Sequence, residues 1–152
     1  MTVDNYTNLL IIQASPDKIY DAITTEKGLK QWWTNQVELY PHIGGTGTFT
    51  FGKNNYVVMK IAKLVPNKEA VWKCVEQYFQ TEGTDKTDEW VGTTLRFSIV
   101  DNKDETAKLS FIHEGLNPDV ASYKKSEEKW NHFFNSLRLY LEKGKGTPYE
   151  GK

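Results

Sequence analysis

The sequence predicts an α+β domain, a curved antiparallel sheet wrapped around one long C-terminal helix, with two short helices after the first strand. Three observations predict it. Six segments between Gln36 and Glu114 carry β-forming residues at a two-residue period, most of them joined by short polar turns. From Tyr123 to Lys143, the residues Trp130, Phe133, Phe134, Leu137, Tyr140 and Leu141 recur at helical spacing. A sheet with one apolar face must be covered, and that last stretch is the element long enough to cover it.

Taken in chain order, "YTNLLIIQA" (6–14) reads as a buried strand. "SPDKIYDAITT" then opens a helix, with Ser15 at the N-cap, Pro16 at the first helical position and Asp17 in the first turn. Ile19, Ala22 and Ile23 form its apolar stripe. "TEKGLKQWW" gives a second short helix, interrupted at Gly28 and ending on Trp32 and Trp33. Adjacent helical residues do not share a face, so one of these two is expected to pack inward and the other to be partly exposed. Packing into the core and a lid over a cavity mouth are both open to the pair.

Strands are expected at 36–39, 47–51, 56–65, 70–78, 91–100 and 107–114. The links at 52–55, 66–68 and 101–104 favour hairpins, whereas "TEGTDKTDE" (81–89) reads as a longer mobile loop. The final helix runs over 123–143, with Gly144 as its C-cap and Pro148 beyond.

The stretch "HIGGTGTFTFG" (42–52) resembles a phosphate-cradling loop in its glycine content. Such a loop needs a helix N-terminus after it and, in the P-loop form, a Lys-Ser/Thr pair. Gly44, Gly45 and Gly47 fit neither glycine spacing, and Phe49 and Phe51 alternate with threonines. The expectation is a turn at Gly44–Gly45 feeding a strand.

With 152 residues the chain suits one domain, expected to span 1–152, with 38% hydrophobic and 26% charged residues. Nineteen basic residues against 20 acidic ones leave a net charge of −1, which argues against a nucleic-acid partner. No apolar run approaches a membrane span and the first residues are not those of a signal peptide, so no membrane insertion and a cytoplasmic location are expected. Cys74 is the sole cysteine, which excludes an internal disulfide; within "AVWKCVEQY" it reads as a small buried hydrophobe. His42, His113 and His132 lack the spacing of a helical metal site, and no metal or other cofactor is expected. Aromatic residues make up 13% of the chain, so either the core is coarse-grained or the rings line a hollow.

The segments "ASPDKIYDAIT", "QWW", "GGTGTFTF", "AVWKCVE", "EWVGTTLRFSI", "LSFIHEGLNP" and "KWNHFFNSLRLYLEKGKGTPY" run in an order that resembles the helix-grip fold of the START/Bet v 1-like (SRPBCC) superfamily. Within it they are similar to a small bacterial family related to the C-terminal domain of the activator of Hsp90 ATPase. Close relatives often carry two cysteines where this chain has Ser122 and Ser126, which sets any thiol chemistry of theirs apart. The resemblance implies a cavity between the sheet and the C-terminal helix that holds an apolar molecule.

Placed on that frame, the candidate ligand-binding residues are Trp33, Phe49, Phe51, Tyr56, Phe97, Phe111, His113, Trp130 and Phe134. By alternation His113 shares a strand face with Leu109 and Phe111, either as a hydrogen-bonded core histidine or as a polar group orienting a ligand. Glu114 then faces away from it. A pocket of about 300 Å³ or more is expected, walled by most of these rings. The leading function is non-enzymatic binding of a small apolar or aromatic ligand, with no catalytic residue assigned. A chaperone is the partner on the alternative reading, a protein-interaction domain. The third is a cyclase-like or hydrolytic enzyme using His113 with Tyr56 or Glu76.

Overall fold

The computed structural model describes residues 6–40, 42–51, 55–78, 90–115 and 123–149, with only the backbone of 123–126. The loop expected at 81–89, the turn residues 52–54 and Ser122 lie outside the described residues, as does the side chain of Ser126.

The elements follow the expected order. Strand β1 (Tyr6–Ile12) leads to α1 (Pro16–Thr24) and α2 (Glu26–Trp32), then β2 (Val37–Leu39), β3 (Thr46–Thr50), β4 (Tyr56–Val65), β5 (Glu69–Tyr78), β6 (Thr94–Asp101), β7 (Ala107–Glu114) and α3 (Tyr123–Lys143). The strands make one sheet in the order β1-β7-β6-β5-β4-β3-β2. Every neighbouring pair is antiparallel. The meander from β2 to β7 leaves β7 open, and β1 closes on it with Tyr6 opposite His113. Register shifts at Val58/Met59 and at Ile61/Lys63 mark bulges between β4 and β5, a device that bends a sheet.

The apolar alternation sets the inner face. Phe49, Met59, Trp72, Leu95, Phe97, Leu109 and Phe111 are buried on it, and Trp130, Phe134 and Leu137 of α3 descend onto them. The α1–α2 pair closes one side of the grip. A Cβ on Gly28 would stand 2.6 Å from the Ala22 Cα, so only glycine allows the two helices this approach. Thr25 Oγ accepts from the Gly28 N–H at 3.0 Å and caps α2. Ser15 occupies the N-cap of α1 without a side-chain cap bond. Its hydroxyl bonds the Asp17 carboxyl instead, holding that group below its ordinary range.

The tryptophan pair corrects the expectation drawn from helical geometry, since both are buried, Trp32 at 0% and Trp33 at 4% exposure. The helix ends at Trp32, and Trp33 is its C-cap. Trp33 keeps right-handed helical backbone angles, φ −102° and ψ −71°, with its N–H still bonded to Leu29 O, and its ring lies on Phe49 with centroids 4.4 Å apart. Trp32 stacks on Trp33, with centroids 5.7 Å and planes 13° apart, and donates its indole N–H to the Ala22 carbonyl at 2.7 Å. Ala22 of α1, Phe49 of β3 and Trp130 and Phe134 of α3 surround this helix end, so both rings are enclosed.

Strand β6 starts at Thr94, three residues later than expected, because residues 90–93 form a turn with Gly92 at φ +89°. That turn is tied to β5 through Gly92 N–H to Cys74 O and Cys74 N–H to Thr93 O, each 2.9 Å. Cys74 is buried as expected, and burial pushes its thiol up to about 12.

Candidate functional site

At the end of the grip where α3 begins, a recess of about 220 Å³ opens between Trp33, Phe51, Trp90, Lys129, Trp130, Phe133 and Tyr149. Each wall comes from a different place. Trp130 and Phe133 lie on α3, Trp33 at the exit of α2, Phe51 just past β3 and Trp90 in the turn before β6. Tyr149 belongs to the tail that folds back after α3. Its N–H donates to Trp33 O and its carbonyl accepts from Asn35 N–H, both at 2.9 Å. Thr147 N–H to Ser136 Oγ, 2.6 Å, fastens the tail to the helix.

The rings form a continuous horseshoe. Trp90 stacks on Trp130 at 5.5 Å with planes 6° apart, and Trp130 meets Trp33 at 5.3 Å. Trp33 meets Phe51 at 5.9 Å, which contacts both Phe133 and Tyr149 at 6.0 Å. These are offset and tilted pairs of the kind aromatic rings prefer.

Behind the horseshoe, a buried hydrogen-bond chain fixes two of the walls. His113, fully buried, has its Nε2 2.8 Å from Thr93 Oγ and its Nδ1 accepting from the Trp130 indole N–H at 3.1 Å. Thr93 Oγ in turn donates to the Trp90 carbonyl, and Gln77 Oε1 accepts from the Trp90 N–H at 2.9 Å. The hydroxyl has one proton and gives it to Trp90, so His113 must donate from Nε2 and accept at Nδ1. One tautomer satisfies every member, and that tautomer is neutral. Burial pushes the His113 pKa down to about 3.

The structure brings together Trp33, Phe51 and Trp130 of the residues named from sequence. Phe49, Phe97, Phe111 and Phe134 lie instead in the packed interior, each at most 2% exposed. Their rings fill the space between helix and sheet, so the recess sits beside them and they do not wall it. His113 does point inward, but it stands behind Trp130 and Trp90 as their hydrogen-bond partner. Tyr56 is on the other face of the sheet, because it alternates with inward Val57; its hydroxyl donates to Glu76 Oε2 at 2.5 Å. Neither Tyr56 nor Glu76 therefore shares a pocket with His113. Glu114 also faces outward and pairs with Arg96 at 2.8 Å.

Trp90, Tyr149 and Lys129 escaped the sequence reading. The first two lie outside every periodic segment, in a turn and in a tail. The available signals were a tryptophan at the edge of a polar loop and a Pro-Tyr pair after the helix cap. Phe133 was visible as part of the helical stripe, but not as a wall.

The profile of the family described as activator of Hsp90 ATPase homolog 1-like protein matches residues 13–142. No curated protein matches the chain by sequence. Among solved structures, the chain is similar to the Aha1 dimer from Colwellia psychrerythraea, with 31% identity, 94% of this chain and 99% of that chain covered, and a TM-score of 0.76. A Mesorhizobium loti protein, 16% identical over 90% of this chain and 96% of its own, shares the fold at a TM-score of 0.70. So does an Hsp90 activator from Plasmodium falciparum, 13% identical over 90% of this chain and 95% of its own, at 0.65.

Proposed function

The chain belongs to the family of activator of Hsp90 ATPase homolog 1-like proteins, and from that premise we propose that it binds a small apolar or aromatic ligand without transforming it. One observation carries the reading, an aromatic recess of about 220 Å³ whose walls are fixed from behind. Ligand sites are commonly preformed apolar concavities with few polar groups, and among the described residues this recess has that character. The buried network spends its polar groups on one another, which supports binding over chemistry. His113 is neutral, enclosed and engaged at both ring nitrogens. The enzyme reading would need it to meet a reacting group.

A screen of apolar and aromatic small molecules tests the reading through the indole N–H resonances of Trp33, Trp90 and Trp130. A true ligand moves them and raises the melting temperature, by about 2.7 kcal/mol of added stability at a hundredfold excess over Kd. Flat indole shifts across the screen, with no thermal stabilisation, would remove the binding reading.

A second reading, contact with a chaperone, draws on the family description and on the outer sheet face. Leu9, Ile11, Val100 and Ile112 alternate with buried residues on β1, β6 and β7 and stand outward, 36–59% exposed. Titration of the chain with the host Hsp90 tests it. Loss of binding in Leu9→Ser with Ile11→Ser supports that face as the contact.

A further inference from the structure

Resting on the recess as a ligand site, the inference concerns what keeps one of its walls in place. Tyr149 reaches the recess on the tail after α3, and two residues that do not line the recess decide how that tail lies. The tail turns off the helix at Gly144, with φ +87°, a conformation that glycine adopts freely. Gly146 is then buried against α2 and α3. A Cβ there would stand 2.5 Å from Gln31 O and 2.8 Å from Ser136 O, and both are backbone atoms that cannot swing aside. Thr147 donates its N–H to the Oγ of fully buried Ser136 at 2.6 Å. Beyond these contacts the chain meets Trp33 and Asn35, where the two main-chain bonds of Tyr149 form at 2.9 Å.

Gly144, Lys145 and Thr147 are exposed and Pro148 and Tyr149 half-buried, so Gly146 is the tail's deepest residue. A segment that buries so little opens locally at lower cost than the sheet or α3. Docked, the tail presents the Tyr149 ring to the recess; released, it takes that ring away. We infer that Gly146 and Ser136 are positioning residues for the recess, a clasp that holds Tyr149 as its movable wall, so that ligand binding and tail docking favour each other. The coupling is reciprocal: whatever factor docking adds to the affinity, a bound ligand adds to docking. One ring–ring contact sets its scale at up to about tenfold.

The test follows the whole chain with naphthoate, a soluble two-ring probe, and reads amide hydrogen exchange at Tyr149 and Asn35, whose N–H groups make the docking bonds. In the unmodified protein, saturating naphthoate should slow exchange at both amides by up to about tenfold. Ser136→Ala should speed exchange there by about threefold to tenfold, the scale of one hydrogen bond. Gly146→Ala should hold the tail undocked and lower naphthoate affinity about as much as Tyr149→Ala does. Gly146→Ala combined with Tyr149→Ala should add nothing further, because an undocked ring is already lost to the recess. A glycine needed only for folding would instead leave naphthoate affinity intact in the folded protein. Losses that add, or an unchanged affinity in Gly146→Ala, would overturn the inference while leaving the recess a ligand site. So would exchange that neither naphthoate slows nor Ser136→Ala speeds. If naphthoate moves none of the three indole resonances of the unmodified protein, the parent reading of the recess falls instead.

Discussion

Along α3 the same residue types build two different environments. In the middle of the grip, Phe111 meets Phe134 and Trp130 at 4.7 Å and Phe97 at 4.8 Å. At the end of the grip, successive rings are 5.3–6.0 Å apart, a spacing that interior pairs such as Phe97 and Phe134 at 6.4 Å also reach, but here they enclose the recess. The difference lies in what positions the rings. Phe97 and Phe111 are directly opposite each other on β6 and β7, so the sheet lattice spaces them and the helix presses Phe134 between. Trp90, Phe51 and Tyr149 come from a turn, a strand exit and a tail, which no common lattice brings together. Aromatic content by itself therefore says nothing about hollowness. Here the rings carried by paired strands are enclosed by the sheet and α3, and those from the turn, the strand exit and the tail border the recess.

The neighbouring phenylalanines of α3 make the sharpest test, since one serves each environment. Phe134→Ala should cost about 3–5 kcal/mol, the range for removing a fully packed ring. Phe133→Ala, on the recess wall and 8% exposed, should cost less than half of that, because part of its surface already faces open space. Denaturant melts at constant m-value measure both. Equal losses would mean that the recess is packed as tightly as the interior.

Next in size is an effect of pH that joins the two regions through His113. Its folded pKa, about 3, lies below the ordinary 6.5, so on acidification the unfolded chain takes the proton first. Stability present above about pH 6.5 is thus lost as pH falls from there toward about 3. At about 1.4 kcal/mol per pH unit, the loss reaches about 2 kcal/mol by pH 5. His113→Gln cannot take the proton and should flatten that part of the acid limb in melts at pH 7 and pH 5. An acid limb of the same steepness in the variant would show that His113 is not its source.

What the sequence revealed follows the same division. Strands β4 and β7 and helix α3 have the expected bounds, because period two and period 3.6 are strong where one face is buried. Phe97, Phe111 and Phe134 were correctly turned inward by that periodicity. It also made them look like pocket walls, since alternation gives a side chain's direction but not how much space remains in front of it. Trp33 was half legible. The sequence places it at the site, but its burial depends on Phe49 and Trp130, which reach it from β3 and α3. Trp90 and Tyr149 carry no period at all, and tertiary bonds such as those to Gln77, Trp33 and Asn35 hold them at the recess. A site built from loops is the part of a fold that pattern reading sees least.

The smallest effect on stability is expected at Tyr149, and it should be among the more telling for binding. Tyr149→Ala keeps the backbone bonds to Trp33 and Asn35, and Thr147 still holds Ser136, so the tail stays in place. What disappears is one ring that contacts Phe51 at 6.0 Å, worth about 0.5–1.5 kcal/mol for such a pair. The expected loss is about 1 kcal/mol, well under that of Phe134→Ala. The recess also loses one wall of its horseshoe, so affinity for an aromatic probe such as naphthoate should fall by up to about tenfold, the scale of one ring–ring contact. Calorimetric titration and thermal melts on one sample give both numbers. If Tyr149→Ala destabilised the chain as much as Phe134→Ala, the tail would be core rather than wall. If it left naphthoate binding untouched, the ligand would sit on the Trp90 side of the recess, away from the tail.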